Sequence, residues 1–471
     1  MRQVAAIGSM AFCLLACVPR SRPAPALPPL TDEGELFVYL DAVPDDSARL
    51  ALSFGAVAAS RSDGVDEPLE LQLVELTAKD APRQRLFAMG RVPPGTYGAL
   101  LVQLRRATLL TDEGPADLLV SKEPIRIDVR LQVSRGRSSV VRVALRPGQA
   151  VERGFDFGGA FSAAVLQPAS TVPQLDGFAS VPDLAVLALF DRHARQVVGM
   201  VPTGREPEGL ALDPPASRIY VALPAEDQIQ VLDLTTGDQV RRIPLSSGDR
   251  PTEIALVSGT GPLLTINTGS DSASFVDPLS GGILDRVPVG QEPWALLLDQ
   301  QGRRAYVLNR RSSEITVLDV STHLVAGRIP TDAEPIRAAL NRAGTRLFVV
   351  HRGSGYMNVY SVPDYAQVNR IYVGLGVGTV RVDPRTDLVY VGRADEGVIQ
   401  IFDPLAALPI GRIDVDGPVA WLALDATENM LLAGIPTLGR VVFVDLTTRR
   451  QVSAIDLARA PYQVIVPGER F

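Results

Sequence analysis

Hydrophobic and polar positions alternate over short runs through most of this chain, and beyond about residue 180 the runs recur with a regular period. The segment 293–330 shows the unit, with four apolar runs that each end at Gly, Pro, Asp or Ser. Such alternation predicts short β-strands joined by turns. Three columns keep a spacing of about 42 residues. They are an Asp after the third strand (Asp191, Asp233, Asp277, Asp319, Asp403, Asp445), a residue opening the first strand (Pro207, Pro251, Pro293, Pro335, Val377, Val419, Pro461), and an aromatic residue in the second strand (Tyr220, Tyr306, Phe348, Tyr390).

A unit of this length and strand content cannot bury its own apolar face, so copies of it must pack against each other. Four strands in about 40–45 residues are typical of a β-propeller blade. The pattern therefore predicts an all-β fold with a seven-bladed β-propeller over 177–471. Six units are complete, and the seventh combines the strands before Glu206 with the C-terminal run 461–466. This arrangement would close the ring and remove the exposed strand edges that favour aggregation.

The repeated unit resembles the YVTN repeats of seven-bladed bacterial surface-layer-type propellers. The motifs that carry the resemblance are Ser313-Glu-Ile-Thr-Val-Leu-Asp319, Val287-Pro-Val-Gly290 and Tyr306-Val-Leu-Asn309. It covers about 180–471 and is broken in one unit, where Ser361-Val-Pro replaces the Asp turn. The resemblance implies a propeller fold, and some propellers of this kind are lactonases.

Residues 34–165 lack the 42-residue period and form a second predicted domain. Strand-like runs occur at 35–40, 69–76, 97–104, 125–133 and 139–145. The period-two pattern of 125–133 places Ile125, Ile127, Val129, Leu131 and Val133 on one buried face. These runs predict a smaller antiparallel β-sandwich, joined to the propeller by a Pro- and Ser-containing linker at 166–176. The motifs 39–46 and 92–97 resemble a transthyretin-like domain of bacterial lipoproteins.

The N-terminus has the features of a targeting segment. One arginine precedes the apolar run 4–16, which as a helix is too short to cross a bilayer and indicates a signal peptide. The segment 1–17 ends in Leu-Leu-Ala-Cys17, which resembles the lipobox of bacterial lipoproteins, and an ordinary secretory signal is the alternative. The resemblance implies acylation of Cys17 and attachment to the cell envelope, at the outer membrane. The Pro-rich segment 18–33 would then be an extended tether.

Composition and charge exclude several function classes. The net charge of −7 and the pI of about 5.3 argue against nucleic-acid binding. Cys13 and Cys17 are the only cysteines, and His193, His323 and His351 are the only histidines. These residues are too few for a haem or structural metal site, so we predict no metal and no cofactor. The repeated Asp residues are expected to accept backbone hydrogen bonds in turns, because an active site would single out one blade.

The positions that vary while their neighbours repeat are the best candidates for function. In each unit they lie one and two residues after the residue that opens the first strand, which would line the central channel. A pocket there would combine aromatic and charged groups, and the alternative is an ordinary solvated rim. The predicted ligand-binding residues at the channel mouth are Glu208, Glu253, Trp294, Arg337, Arg381, Trp421 and Tyr462.

The sequence thus favours a non-enzymatic, lipid-anchored envelope protein whose propeller binds or scaffolds an envelope protein or glycan. A lactonase-like or other hydrolase acting at the channel mouth is the alternative, although no catalytic motif supports it. A haem- or quinone-dependent redox propeller is disfavoured because metal ligands are scarce.

Overall fold

The computed structural model of the chain describes residues 28–43, 49–77, 80, 82–146, 150–152, 155–166, 176–257, 259, 261–404 and 408–469. The predicted leader 1–17 with Cys17, residues 18–27 of the predicted tether and most of the predicted linker 166–176 lie outside the described residues. What is described is all-β, with two domains and three single-turn 3₁₀ helices at Pro182–Leu184, Pro224–Glu226 and Pro436–Leu438.

The N-terminal domain is one ten-stranded sheet that curls around a single apolar core. The strands of the sheet are β1 (Gly34–Leu40), β2 (Leu50–Arg61), β3 (Asp66–Leu71), β4 (Glu75–Leu76), β5 (Arg85–Val92), β6 (Gly95–Thr111), β7 (Gly114–Leu118), β8 (Ile125–Val133), β9 (Ser138–Leu145) and β12 (Phe161–Leu166). Strands β10 (Val151–Glu152) and β11 (Asp156–Phe157) form a separate two-stranded ribbon. The central path runs β12-β9-β1-β5-β3-β2-β6-β7, with β4 on β2 and β8 on β6.

The period-two prediction for 125–133 is confirmed at Ile127, Val129, Leu131 and Val133, which are buried while the residues between them are exposed, whereas Ile125 is half-buried. The pairing differs from a purely antiparallel sandwich in one place. Strand β9 lies parallel to β1.

The C-terminal domain is the predicted seven-bladed propeller, with seven separate four-stranded sheets. The blades, in chain order, are blade 1, β13 (Asp176–Val181), β14 (Val186–Asp191) and β15 (Gln196–Pro202) with β40 (Val464–Ile465); blade 2, β16 (Leu210–Asp213), β17 (Arg218–Leu223), β18 (Gln228–Asp233) and β19 (Gln239–Pro244); blade 3, β20 (Pro251–Leu256), β21 (Leu263–Asn267), β22 (Ser272–Val276) and β23 (Ile283–Pro288); blade 4, β24 (Pro293–Leu298), β25 (Arg304–Asn309), β26 (Glu314–Asp319) and β27 (Leu324–Pro330); blade 5, β28 (Pro335–Leu340), β29 (Arg346–His351), β30 (Tyr356–Ser361) and β31 (Gln367–Tyr372); blade 6, β32 (Val377–Val382), β33 (Val389–Arg393), β34 (Val398–Phe402) and β35 (Pro409–Asp414); and blade 7, β36 (Trp421–Asp425), β37 (Met430–Ile435), β38 (Arg440–Asp445) and β39 (Arg450–Asp456).

Blade 1 is composite, as the repeat predicted. Its innermost strand β40 comes from the C-terminus and pairs antiparallel with β13, with Phe178 opposite Ile465 and Ala179 opposite Val464. A buried ion pair between Arg192 of blade 1 and Asp425 of blade 7, at 2.5 Å, joins the two ends of the ring. The ring is therefore closed by backbone pairing, apolar packing and a charged contact.

The repeated Asp residues act as turn acceptors, as predicted. In blade 4, Asp319 Oδ1 accepts hydrogen bonds from the backbone N–H groups of Ser321 and Thr322, each at 3.0 Å, and from the Ser321 hydroxyl. These bonds to the charged form lower the pKa of Asp319 to about 2. Asp191, Asp233, Asp277 and Asp445 accept from the backbone two or three residues ahead in the same way.

The N-terminal domain packs on blades 1 and 7, where the ring closes. Strand β1 is buried on both faces because its residues alternate between two cores. Leu36, Val38 and Leu40 enter the domain's own core, whereas Phe37 and Tyr39 join a cluster shared with the propeller.

A charged cluster at this domain junction surrounds Asp456. Its carboxylate pairs with Arg85 at 2.6 Å, Arg440 at 2.7 Å and Arg83 at 3.4 Å, and its carbonyl oxygen accepts a hydrogen bond from the Tyr39 hydroxyl at 3.0 Å. Burial opposes ionisation of Asp456, but the arginines outweigh it, so the pKa of Asp456 is lowered. The two domains are thus joined by a paired, largely buried charge.

Candidate functional site at the channel mouth

The channel mouth is shaped by a β-bulge that recurs in the inner strands of blades 3 to 6. In blade 4, Pro293 pairs with Asn309 and Ala295 pairs with Leu308, so Trp294 is an extra residue between them. A bulge of this kind redirects one side chain relative to the strand. It explains why the first variable position, such as Trp294, lies at the mouth, whereas the second variable position is buried in the channel.

The mouth holds a cavity of about 380 Å³, hereafter the mouth cavity. Its apolar wall includes Ile336 and Val377, and its rim carries both aromatic and charged side chains. Ligand cavities commonly have volumes of about 300–1,000 Å³ and combine apolar walls with a few polar groups. The charged and aromatic side chains that line it are Asp183, Trp294, Arg310, Arg337, Arg352, Trp421 and Tyr462.

The floor of the mouth cavity is built on Arg337. Its guanidinium forms an ion pair with Glu253 at 2.7 Å and lies 4.4 Å above the centre of the Trp421 ring. Glu253 is held in turn by the backbone N–H of Leu296, at 2.7 Å. The Trp421 indole N–H donates to the carbonyl of Val464 at 2.8 Å. Because all of these side chains are buried, the floor is a fixed arrangement of charge and aromatic surface.

Below this floor the channel narrows to a gap of about 20 Å³ between Glu253, Arg337, Arg381 and Trp421. Arg381 lies 5.3 Å from the centre of the Trp421 ring and pairs with Glu469 at 3.4 Å. A second cavity of about 450 Å³ opens on the opposite side of the propeller, next to Glu469. Trp421 and the two arginines therefore divide the channel into two chambers.

Glu208 lies beside the mouth with an altered acidity. Burial, followed by the nearby carboxylates Glu206 and Glu253, raises the pKa of Glu208 to about 8, despite Arg250 and the neighbouring Tyr462 hydroxyl. Burial likewise raises the pKa of Tyr462 well above its ordinary value. At neutral pH the Glu208 carboxyl is therefore largely protonated.

The structure brings the predicted residues together in two sets. Glu253, Arg337, Arg381 and Trp421 are in mutual contact at the floor. Trp294 and Tyr462 line the mouth cavity above them, and Glu208 neighbours Tyr462 and Glu253.

Sequence reasoning missed four charged residues. Arg310 lies 4.1 Å above the Trp294 ring and pairs with Glu292. Arg352 and Asp183 line the mouth cavity, and Glu469 pairs with Arg381. A signal existed for two of them, because Arg310 and Arg352 each follow the second strand in successive blades.

The histidines lie away from the mouth cavity's lining. His193 is exposed, His323 stacks on Phe275, and buried His351 has its Nδ1 3.2 Å from the carbonyl oxygen of Tyr356. Within the described ranges, no group of three or more His, Cys, Asp or Glu side chains is arranged to hold a metal ion. In the same part of the chain, no helix is long and apolar enough to cross a membrane.

No family model matches the chain, and no curated protein sequence matches it. Among solved structures, a chain of hydrazine synthase from Kuenenia stuttgartiensis is similar over 55% of this chain and 89% of that chain. The two share 18% sequence identity, with a TM-score of 0.49.

Proposed function

We propose that the chain is a non-enzymatic protein of the cell envelope, held at the outer membrane by lipid on Cys17, whose propeller binds an envelope protein or glycan. The YVTN-type repeat and the lipobox-like leader support this location. The observation that supports binding is the mouth cavity, where Trp294, Trp421 and Tyr462 meet Arg310 and arginines of blade 5 around an apolar wall. Aromatic and arginine side chains dominate the energetics of many binding sites.

The binding proposal has a direct optical readout. Trp294 and Trp421 are the only tryptophans in the chain, and both line the mouth cavity. We expect fractionated envelope proteins or envelope glycans to change the tryptophan fluorescence of the full chain saturably. The response should weaken in Arg337→Ala and persist in Arg311→Ala, which alters an exposed blade 4 residue outside the cavity lining. Equal responses in both variants would contradict binding at the mouth.

The anchor is tested separately. We expect Cys17→Ser to move the protein from the membrane fraction to the soluble fraction and to remove labelling by a radioactive fatty acid. An unlabelled wild-type protein with a free N-terminus after Cys17 would instead indicate an ordinary secretory signal.

A hydrolase remains the second candidate, favoured by one observation. The largely protonated Glu208 beside Tyr462 is the kind of group that acts as a general acid. Turnover of simple aliphatic lactones by the full chain, lost in Glu208→Gln but retained in Arg311→Ala, would support this function over binding alone.

A further inference from the structure

The ionic groups around the mouth cavity are separated by sign. Arg310 belongs to blade 4, and Arg337 and Arg352 belong to blade 5. Asp183 belongs to blade 1, which lies across the ring from blades 4 and 5. Glu208, on the connection into blade 2, is on the same side as Asp183, and its largely protonated carboxyl adds no positive charge there. An anionic group entering the mouth is therefore drawn towards blades 4 and 5 and repelled from blade 1.

Two of the arginines are already paired, and one is available. Arg337 pairs with Glu253 and Arg310 pairs with Glu292. The exposed Arg352 side chain makes no ion pair or hydrogen bond with any residue that the structure describes, although its backbone N–H binds the carbonyl of Glu334 at 2.9 Å. A guanidinium offers five donors in a planar fork that suits a carboxylate. Arg352, supported by Arg310, is thus the natural anion contact.

The two tryptophan rings of the mouth cavity are already in contact with cations. The Arg310 guanidinium covers one face of Trp294 at 4.1 Å, and those of Arg337 and Arg381 lie at 4.4 and 5.3 Å from the Trp421 ring centre. Trp421 is also 4% exposed, which leaves no face for a flat sugar ring. This arrangement favours an anion contact over stacking of a neutral glycan.

Two large apolar side chains are exposed at blade 5, outside the mouth cavity. Tyr372 and Leu375 are each 64% exposed, although they are large hydrophobic residues. They adjoin the turn that carries Arg352, because a Cβ on Gly355 would lie 3.3 Å from the Tyr372 ring and 3.5 Å from the backbone nitrogen of Leu375. A ligand that passes Arg352 on its way out of the cavity therefore meets apolar side chains, which suit a peptide better than a sugar chain.

We propose that the mouth recognises a carboxylate-terminated apolar peptide segment of a partner protein, and this rests on the proposed binding function. The terminal carboxylate contacts Arg352 and Arg310, and the last apolar side chain enters the mouth cavity. The preceding residues lie over Tyr372 and Leu375. The cavity volume is near the lower end for ligand sites, as expected for the end of a chain.

The test uses tryptophan fluorescence of the full chain and three probes. These are N-acetyl-Phe-Leu with a free carboxylate, the same dipeptide as its C-terminal amide, and a glucuronate-containing disaccharide. We expect the acid to bind at least about tenfold more tightly than the amide, because a charge-assisted hydrogen bond is lost in the amide. Arg352→Ala should remove this difference, whereas Arg311→Ala should preserve it.

The possible outcomes separate the two proposals. Equal affinity for acid and amide would overturn carboxylate recognition while leaving mouth binding intact. Preferred binding of the disaccharide would overturn the peptide assignment in favour of an acidic glycan. The absence of any response to all three probes would also overturn the inference, and the proposed function would then be decided by the response to envelope fractions.

Discussion

Replacement of Ile465 by alanine tests whether the C-terminal strand closes the propeller. Ile465 is 1% exposed and lies in a cluster between blades 1 and 2 that includes Phe178, Leu187 and Leu210. These neighbours belong to hydrogen-bonded strands, so they cannot move in to fill the space that the substitution creates. Substitutions of this type cost about 2–5 kcal/mol, and a site that cannot collapse gives the upper half of that range.

We therefore expect Ile465→Ala to lower the free energy of unfolding by about 3–5 kcal/mol. Against a typical total of about 5–15 kcal/mol, this is a large fraction. Deletion of 461–471 should be more severe, because it also removes Val464 and Val466, which are 0% and 2% exposed, and the pairing with β13.

The assay is urea unfolding of the full chain, followed by tryptophan fluorescence. Trp421 reports on this region because its indole N–H is bonded to the carbonyl of Val464. Val452→Ala is the matched control, since Val452 lies on the outer strand β39, is 44% exposed, and should change stability by less than about 0.5 kcal/mol. If Ile465→Ala and Val452→Ala unfold at the same urea concentration, closure by β40 does not stabilise the propeller.

Three further predictions concern buried charges. Asp456→Ala leaves the arginines of the domain junction without their carboxylate, so we expect the free energy of unfolding to fall by about 3–5 kcal/mol and the two domains to unfold further apart in temperature in calorimetry. A calorimetric profile identical to that of the wild type would contradict this. Arg192→Met leaves buried Asp425 without its ion-pair partner, so we expect the free energy of unfolding measured in urea to fall by about 3–5 kcal/mol. His193→Ala, at an exposed neighbouring position, is the control and should leave that free energy almost unchanged. Burial raises the pKa of Glu469 from 4.5 to about 7, so between these values the folded protein keeps a proton that the unfolded chain has released, and stability falls as pH rises. Glu469→Gln should remove up to about 3 kcal/mol of this decline in the free energy of unfolding between pH 5 and pH 8. The same dependence of stability on pH in Glu469→Gln and in the wild type would refute the prediction.

Period and alternation account for most of what could be predicted from the sequence. The columns of Asp and of strand-opening residues recur because each blade has the same turns and packs in the same way. These columns predicted the composite blade and its closing strand. The same columns identified Glu253, Arg337 and Trp421, because each lies two residues after the residue that opens the first strand of its unit. Reasoning from the repeat can therefore predict the position of any residue whose environment is the same in every blade.

The repeat could not predict contacts between segments that do not follow its period. Glu469, near the C-terminus, pairs with Arg381 of blade 6, and no local pattern identifies such a partner. In the N-terminal domain, period two assigned the faces of β8 correctly but carried no information on strand order, so the parallel pairing of β1 with β9 was missed. Pairing order depends on the whole chain path, which alternation along a single strand does not encode.

The closing strand links the stability of the propeller to its binding site. Tyr462, which lines the mouth cavity, and Gln463, whose side chain accepts a hydrogen bond from the backbone of Leu210 at 2.6 Å, immediately precede β40. A ligand in the mouth therefore contacts the segment that completes the ring, and it should stabilise the closed form by mass action. The N-terminal domain covers the outer side of the same junction through blades 1 and 7. Ligand binding, ring closure and domain packing thus act on one shared segment, so a mutation that loosens β40 should weaken binding as well as stability.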